Sequence, residues 1–290
     1  MVLRGPTPKD VAAFAAGGDV ASLVRAFSTT KRRDVRAAAV KALRQLGAQT
    51  ALVDMLGDAN LRRPAAAALV ELGTEALQKV APLLRHADLA LQEGALYTVY
   101  YYARYRDMAA ARDLLRETAT SAISADLAAA ASSMLNKVDR VRKERDQHID
   151  FLLEKIALRL QDEAAQPDNI LIKMYSGIRR DRVTAMTELV AMRFGCLQRV
   201  IDRAGDFGDT AVAALLGLAL NELGGEVVPP IRAALKTGDK RQRSALTRAL
   251  LCLRRAQIPG AAQALDESGI RITETLDRQA ARVYKQWVKE

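Results

Sequence analysis

Two sets of side chains in this 290-residue chain have the types and spacing to do chemistry, and in both the chemistry is binding rather than bond-making. The first is Tyr97-Thr98-Val99-Tyr100-Tyr101-Tyr102-Ala103-Arg104-Tyr105-Arg106, which holds five of the seven tyrosines within nine residues. On a helix Tyr97, Tyr101 and Tyr105 share a face, with Tyr100 and Arg104 beside it. Tyrosine is amphipathic and loses little rotamer entropy on binding, so an exposed cluster with arginines suits a protein hot spot or the stacking of bases. A packing role competes with this. The segment Leu61–Leu72 is nearly all alanine on one side, and large rings fill space against small neighbours. Five rings at this spacing cover most of a helix circumference, so two or three should be buried and at least one exposed.

The second set is basic: Lys31-Arg32-Arg33, Arg62-Arg63, Arg179-Arg180-Arg182 and Lys240-Arg241-Arg243. Each falls at a turn that opens the second helix of a helix pair. Equivalent positions in stacked pairs lie on one edge, where they would form a ridge of positive charge. Phosphate contacts need cations at intervals and no base-reading geometry, so such a ridge suits a polyanion. The competing reading is a solvated surface.

Bond-making motifs do not occur. There is no P-loop, GxGxxG or GxSxG, and no pair of histidines with a glutamate at metal-binding spacing. His86 and His148 stand apart from each other and from any cysteine, which argues against zinc. Cys196 and Cys252 are far apart with no CxxC spacing, which argues against a disulfide framework and fits a reducing compartment. No enzyme activity, cofactor or metal is expected.

Net charge is +10 and the pI about 9.8, a bias towards nucleic acid, anionic lipid or acidic proteins that says nothing about fold. The first ten residues carry Arg4, Pro6, Pro8 and Lys9 before any apolar stretch, unlike a signal peptide. The longest uncharged apolar run, Ala211 to Leu220, has about half the length of a membrane span. A soluble, cytoplasmic protein without a membrane span is expected.

The elements that must position these residues are helices. Aromatics make up 4% of the chain and alanine is abundant, which favours close helix packing, and alanine has the highest helix propensity. The stretch Asp34–Gly47 returns 26 residues later as Asn60–Gly73, with Arg third, Ala-Leu at positions nine and ten, and Leu-Gly last. Helix–turn–helix units follow over about 19–47, 49–72, 75–105 and 108–138. Asp139 to Glu163 departs from the period. It is dense in both signs of charge and then gains an apolar stripe at Ile149, Leu152, Leu153, Ile156 and Leu160. It reads as a long helix, either a hinge or arm between two blocks or a solvated helix with i,i+4 ion pairs. Gln166–Asn169 ends it, and a short helix over Ile170–Tyr175 follows. The period resumes at Arg182–Met192, Asp209–Gly224 and Arg243–Leu253, and a last helix, about Glu274–Lys289, carries the only tryptophan, Trp287, as a cap. The expected division is 1–138, a linking helix 139–168, and 169–290.

The Asp-Val-Arg turn, the mid-helix Ala-Leu and the Leu-Gly close resemble HEAT-like repeats of the bacterial, PBS-lyase-like type. The resemblance implies an all-α, right-handed α-solenoid of antiparallel helix pairs, of the HEAT/armadillo kind. It also implies that Asp34 and Arg36, and Asn60 and Arg62, bond to neighbouring repeats, and that one Arg per turn is structural. A few families with such repeats are enzymes. The alkylpurine DNA glycosylases use tryptophans beside an aspartate, a pattern that a lone Trp287 does not meet, and no residue of the bilin lyases transfers. The function expected is a non-catalytic scaffold or adaptor presenting a solenoid face to a protein partner, with DNA, RNA or another polyanion as the alternative ligand. The candidate contact residues are Arg32, Arg33, Arg62, Arg63, Tyr97, Tyr101, Arg104, Tyr105, Arg179, Arg180, Arg241 and Arg243.

Overall fold

A computed structural model describes residues 5–30, 32–122, 124–165 and 177–288, with Arg33 described by its backbone alone. The chain is all-α, and no strand occurs among the described residues. It divides at Arg142/Lys143 into two compact units. The residues 166–176 lie outside the described residues, and with them the end of the linking helix and the short helix expected at 170–175.

In the first unit, α1 (Pro8–Ala16) starts with a capping box. Thr7 accepts from the Asp10 amide and Asp10 reaches back to the Thr7 amide, while Pro8 occupies a first-turn position that needs no N–H. Asp19 caps α2 (Val20–Thr29) by accepting from Ser22 N at 2.9 Å. The next helices are α3 (Arg33–Gln45), α4 (Gln49–Asp54), which tightens into a 3-10 turn at Met55–Gly57, and α5 (Arg62–Leu72). They are followed by α6 (Ala76–Val80), a second 3-10 turn at Ala81–Arg85, α7 (Leu89–Tyr105) and α8 (Ala109–Ser121). Helix α2 packs on α3, α4 on α5, α5 on α7, and α7 on α8. Leu23, Val24, Leu43, Leu56, Leu69 and Leu115 are sealed in the resulting core.

One helix, α9 (Ala125–Ala164), runs 40 residues through the boundary between the units. It contains the long helix expected as an extension of the fourth pair: its start is the second helix of that pair, and its residues divide between the two units. Its apolar stripe, Ile149, Leu152, Leu153 and Ile156, is buried in the second unit. Several of its charges reach other helices. Arg142 lies 3.3 Å from Asp107, and Asp150 accepts from both Arg199 and Arg203.

The second unit continues with α10 (Gly177–Ala191), α11 (Phe194–Asp202), α12 (Ala204–Phe207) and α13 (Asp209–Leu218). A π turn at Ala219–Leu223 and a 3-10 turn at Gly224–Val227 lead into α14 (Val228–Thr237). The unit ends with α15 (Lys240–Arg255), α16 (Ala261–Glu267) and α17 (Glu274–Val288). Helix α15 is the hub, packing against α12, α13, α14, α16 and α17. The stretch Asp209–Thr237 has the length and composition to cross a membrane, with mean hydropathy 1.5 in its most apolar window. Of that window 61% is buried, and Thr210–Leu216 of α13 belong to the core, the setting of an interior helix in a folded domain.

Arg182 departs most from its expected place. It was grouped with the exposed basic turns, yet it is 1% exposed inside the second unit. Its Nε and Nη2 meet both Glu163 oxygens at 2.8 and 3.3 Å, and its guanidinium sits 4.8 Å from the Trp287 ring centroid. The signal was in the spacing: Arg182, Ala185 and Leu189 fall on one helical stripe, and that stripe is the buried one.

Candidate functional site

The site is built on α7, which is capped at its start, seated on the 3-10 turn at Gly94 and fastened to the end of α5 by Tyr102 and Arg106. Asp88 caps its start, accepting from Ala90 N at 2.8 Å. At Gly94 the backbone comes against the 3-10 turn: a Cβ there would fall 2.6 Å from Leu56 Cβ and closer still to its carbonyl oxygen. At the other end Tyr102, fully buried, lies with its hydroxyl 3.0 Å from Leu69 O and 2.5 Å from Gly73 O. Arg106 Nε donates to Val70 O at 2.7 Å. The last carbonyls of a helix have no intrahelical donor, so α7 supplies those that α5 lacks. The small face of α5, with Ala65, Ala66 and Ala68 fully buried, is what lets the rings approach.

With α7 held this way its tyrosines divide. Tyr100 and Tyr102 are buried, Tyr97 and Tyr101 are half-buried, and Tyr105 is 54% exposed. Tyr97, Tyr101 and Tyr105 form a continuous row, with centroids 6.5 and 5.6 Å apart and planes tilted by 53° and 58°. Arginines flank both ends. Arg63, from the first turn of α5, donates through Nη2 to the Tyr97 hydroxyl at 2.9 Å, its guanidinium 4.9 Å from the ring centroid. Arg104 Nη1 donates to the Tyr100 hydroxyl at 2.6 Å and lies 5.5 Å from the Tyr105 centroid. Four residues of the two sequence sets (Arg63, Tyr97, Tyr101 and Tyr105) thus share one surface, with Arg104 beside them. Burial pushes the Tyr101 hydroxyl above its ordinary pKa, and nearby Tyr105 adds to the shift, while Arg63 opposes it.

The sequence reading missed how far the row extends. Leu89 and Glu93 precede Tyr97 at intervals of four, and both are exposed, Leu89 to 62%. Residues 89, 93, 97, 101 and 105 therefore make one oblique i,i+4 ridge along the whole helix. Beside its first half, α7 and the start of α9 enclose a groove of 270 Å³, walled by apolar Leu89, Leu96, Leu127 and Met134 and by the carboxylates Glu93 and Asp126. The four-residue recurrence was present in the sequence, but attention to the aromatic residues alone started the row too late.

The basic clusters do not share one environment. Arg32 is exposed but pairs with Asp34 two residues on, at 2.6 Å, and that hydrogen bond holds the Asp34 carboxyl below its ordinary pKa. Arg62 is largely covered, donating to Leu56 O at 3.2 Å and pairing with Glu93 of α7. The contact to a neighbouring pair implied by the resemblance is thus met by Arg62. It is not met by Asp34, which serves its own turn, nor by Arg36, whose guanidinium lies 4.7 Å from the Phe27 ring centroid. Arg33 opens α3, and its side chain is outside the described residues. In the second unit Arg179 is half-buried and Arg180 exposed near the start of α10, and Arg241 and Arg243 are exposed in the first turn of α15. These clusters lie within the first helical turn rather than in the loops before it.

Among the described residues no group of three or more His, Cys, Asp or Glu side chains is placed to hold a metal ion. Both cysteines are buried free thiols, each pushed up to about 12 by loss of solvation. His148 stacks on exposed Phe151 and meets Glu188 at 2.7 Å, a contact between α9 and α10 with no second histidine near it in sequence. Compared with known proteins, the chain matches no family model and no curated protein.

Proposed function

We propose that this chain is a non-catalytic binding module that docks a protein partner on the α7 ridge, with its helix pairs stacked as a right-handed HEAT-like solenoid. The observation that carries the reading is Arg63 on Tyr97, because it joins two regions far apart in sequence into one surface. Tyrosine and arginine are the residue types that dominate protein hot spots, and here they stand beside a small groove of mixed apolar and polar lining. The rings are preorganised by one another and by the two arginines, which lowers the entropy lost on docking.

A second reading, polyanion binding, draws support from exposed Lys240, Arg241 and Arg243 in the first turn of α15. There the cations add to the positive end of the helix dipole, which the single carboxylate of the capping residue Asp239 offsets only in part. The first unit gives this reading less support, since Arg32 and Arg62 are engaged by carboxylates.

The test is reconstitution of the chain with its purified cellular partner. Tyr101→Ala with Tyr105→Ala should weaken the complex at least about tenfold, while Arg241→Gln with Arg243→Gln leaves it unchanged. The reverse pattern, with affinity for an RNA or DNA oligonucleotide falling steeply with salt, would sink the docking reading in favour of the polyanion.

A further inference from the structure

Resting on the docking reading, we infer that the occupant of the α7 ridge is an acidic amphipathic helix. Two observations specify it. The first is shape. An i,i+4 row is the ridge that one helix inserts into the groove of another, and Leu89 to Tyr105 spans about 24 Å at 1.5 Å per residue, the length of a four- to five-turn partner helix. The groove beside Leu89 and Met134 is open to receive one bulky apolar side chain from that partner. The second is charge. Arg63 and Arg104 have tyrosine partners and, among the described residues, no carboxylate within ion-pair distance. They stand where the flanks of a docked helix would pass at the tyrosine half of the ridge. Carboxylates there would meet guanidiniums already oriented by the rings. Glu93 and Asp126 line the groove at the Leu89 half, so the partner's carboxylates belong beside the tyrosines and its apolar side chain beside the groove.

The same geometry disfavours single-stranded nucleic acid on this ridge. Stacking a base requires an open ring face. Here Arg63 occupies one face of Tyr97, Arg104 lies over Tyr100 and Tyr105, and the rings tilt into one another, which leaves fewer faces free for a base. Ring edges and hydroxyls suit aliphatic and carboxylate side chains.

The probes are three helix-stabilised peptides of about 16 residues with one shared apolar face, their flanking positions all Glu, all Lys or all Gln. Binding is read by fluorescence polarisation at low and moderate salt. The Glu peptide should bind in the range of about 10 µM and the Lys peptide at least about tenfold more weakly. Arg63→Glu with Arg104→Glu should reverse that preference, a gain for the Lys peptide that misfolding cannot produce. Arg278→Gln, an exposed position far along the chain on α17, should change nothing.

Three outcomes overturn the inference: equal affinity for all three peptides, no binding of any up to about 0.5 mM, or tighter binding of a uridine-rich RNA that is lost in Tyr101→Ala. Equal affinities that vanish in Tyr101→Ala remove the acidic occupant and leave the docking reading standing. That reading fails separately, if the purified natural partner binds Tyr101→Ala as well as it binds the unaltered chain.

Discussion

Arg182 is held between the Glu163 carboxylate and the face of Trp287, and so joins α9, α10 and α17 at one buried point. Removing one partner of a buried pair leaves the other charge uncompensated. Arg182→Ala should therefore cost the second unit about 3 kcal/mol. Because Trp287 is the only tryptophan, its emission should shift to the red with the same transition. Arg182→Met with Glu163→Leu should recover most of the loss, since an apolar pair of similar volume needs no desolvation. A double variant as unstable as the single would show that the charge is not the cause.

Gly94→Ala tests the seating of the ridge helix. Alanine gains up to about 1 kcal/mol in helix propensity over glycine. Its methyl group, however, has to displace the backbone at Leu56, and overpacking of this kind costs about 1–3 kcal/mol. The net effect should be a loss, visible as a lower urea midpoint. A raised midpoint would show that α7 sits further from α5 than the structure places it.

Arg193 has φ 51° and ψ −128°, the conformation that Gly208 and Gly224 adopt at the other helix junctions of the second unit. A side chain there costs about 1–3 kcal/mol, which outweighs partly exposed contacts such as the Glu222 pair at 3.4 Å and the Phe194 ring 5.8 Å from the guanidinium. Arg193→Gly should stabilise the unit by about 1 kcal/mol, after the entropy that glycine adds to the unfolded chain. Equilibrium denaturation measures it, and a loss of stability would contradict the strain.

The cysteines supply a test by reactivity. With both thiols pushed up to about 12 and buried, neither Cys196 nor Cys252 should react with a thiol reagent at pH 8. Both should react in denaturant. Rapid labelling of the native chain would mean that the second unit opens readily.

Tyr101 carries a pH prediction. Its folded pKa lies above the ordinary tyrosine value, so its contribution to stability is complete below about pH 10 and fades as pH rises through the folded value. In an ultraviolet titration Tyr101 should ionise after the exposed tyrosines, in the last step. Arg63→Gln should raise that last step further, because Arg63 is the charge that favours the phenolate. A shift downward would reverse the assigned role of Arg63.

The helices of the first unit were legible because each carries its own punctuation: Pro8, Asp19, Asp88 and the Leu-Gly closes mark ends locally. The second unit was harder to read. Helices α12 and α16 span too few turns for a recurrence to show, whereas Phe194, Leu197, Val200 and Ile201 of α11 keep helical spacing that the sequence reading passed over. At the site, the division of the tyrosines into buried and exposed followed from spacing alone. The joining of Arg63 to Tyr97 did not, because their meeting depends on how closely α5 and α7 approach. That distance is set by alanines on one helix and Gly94 on the other, and a one-dimensional pattern carries no distances.

The two tasks of α7 lie on opposite sides of one short segment. Tyr102 and Arg106 fasten the end of α5 while Tyr101 and Tyr105 face outward, and neighbouring residues are separated by about 100° of rotation. A single codon inserted or lost between Gly94 and Tyr97 would turn the outward residues inward and detach α5 in the same event. The length of this helix is thus far more constrained than the identity of most of its side chains. Among related chains, substitutions should accumulate in α7 while insertions and deletions should be confined to its flanking turns.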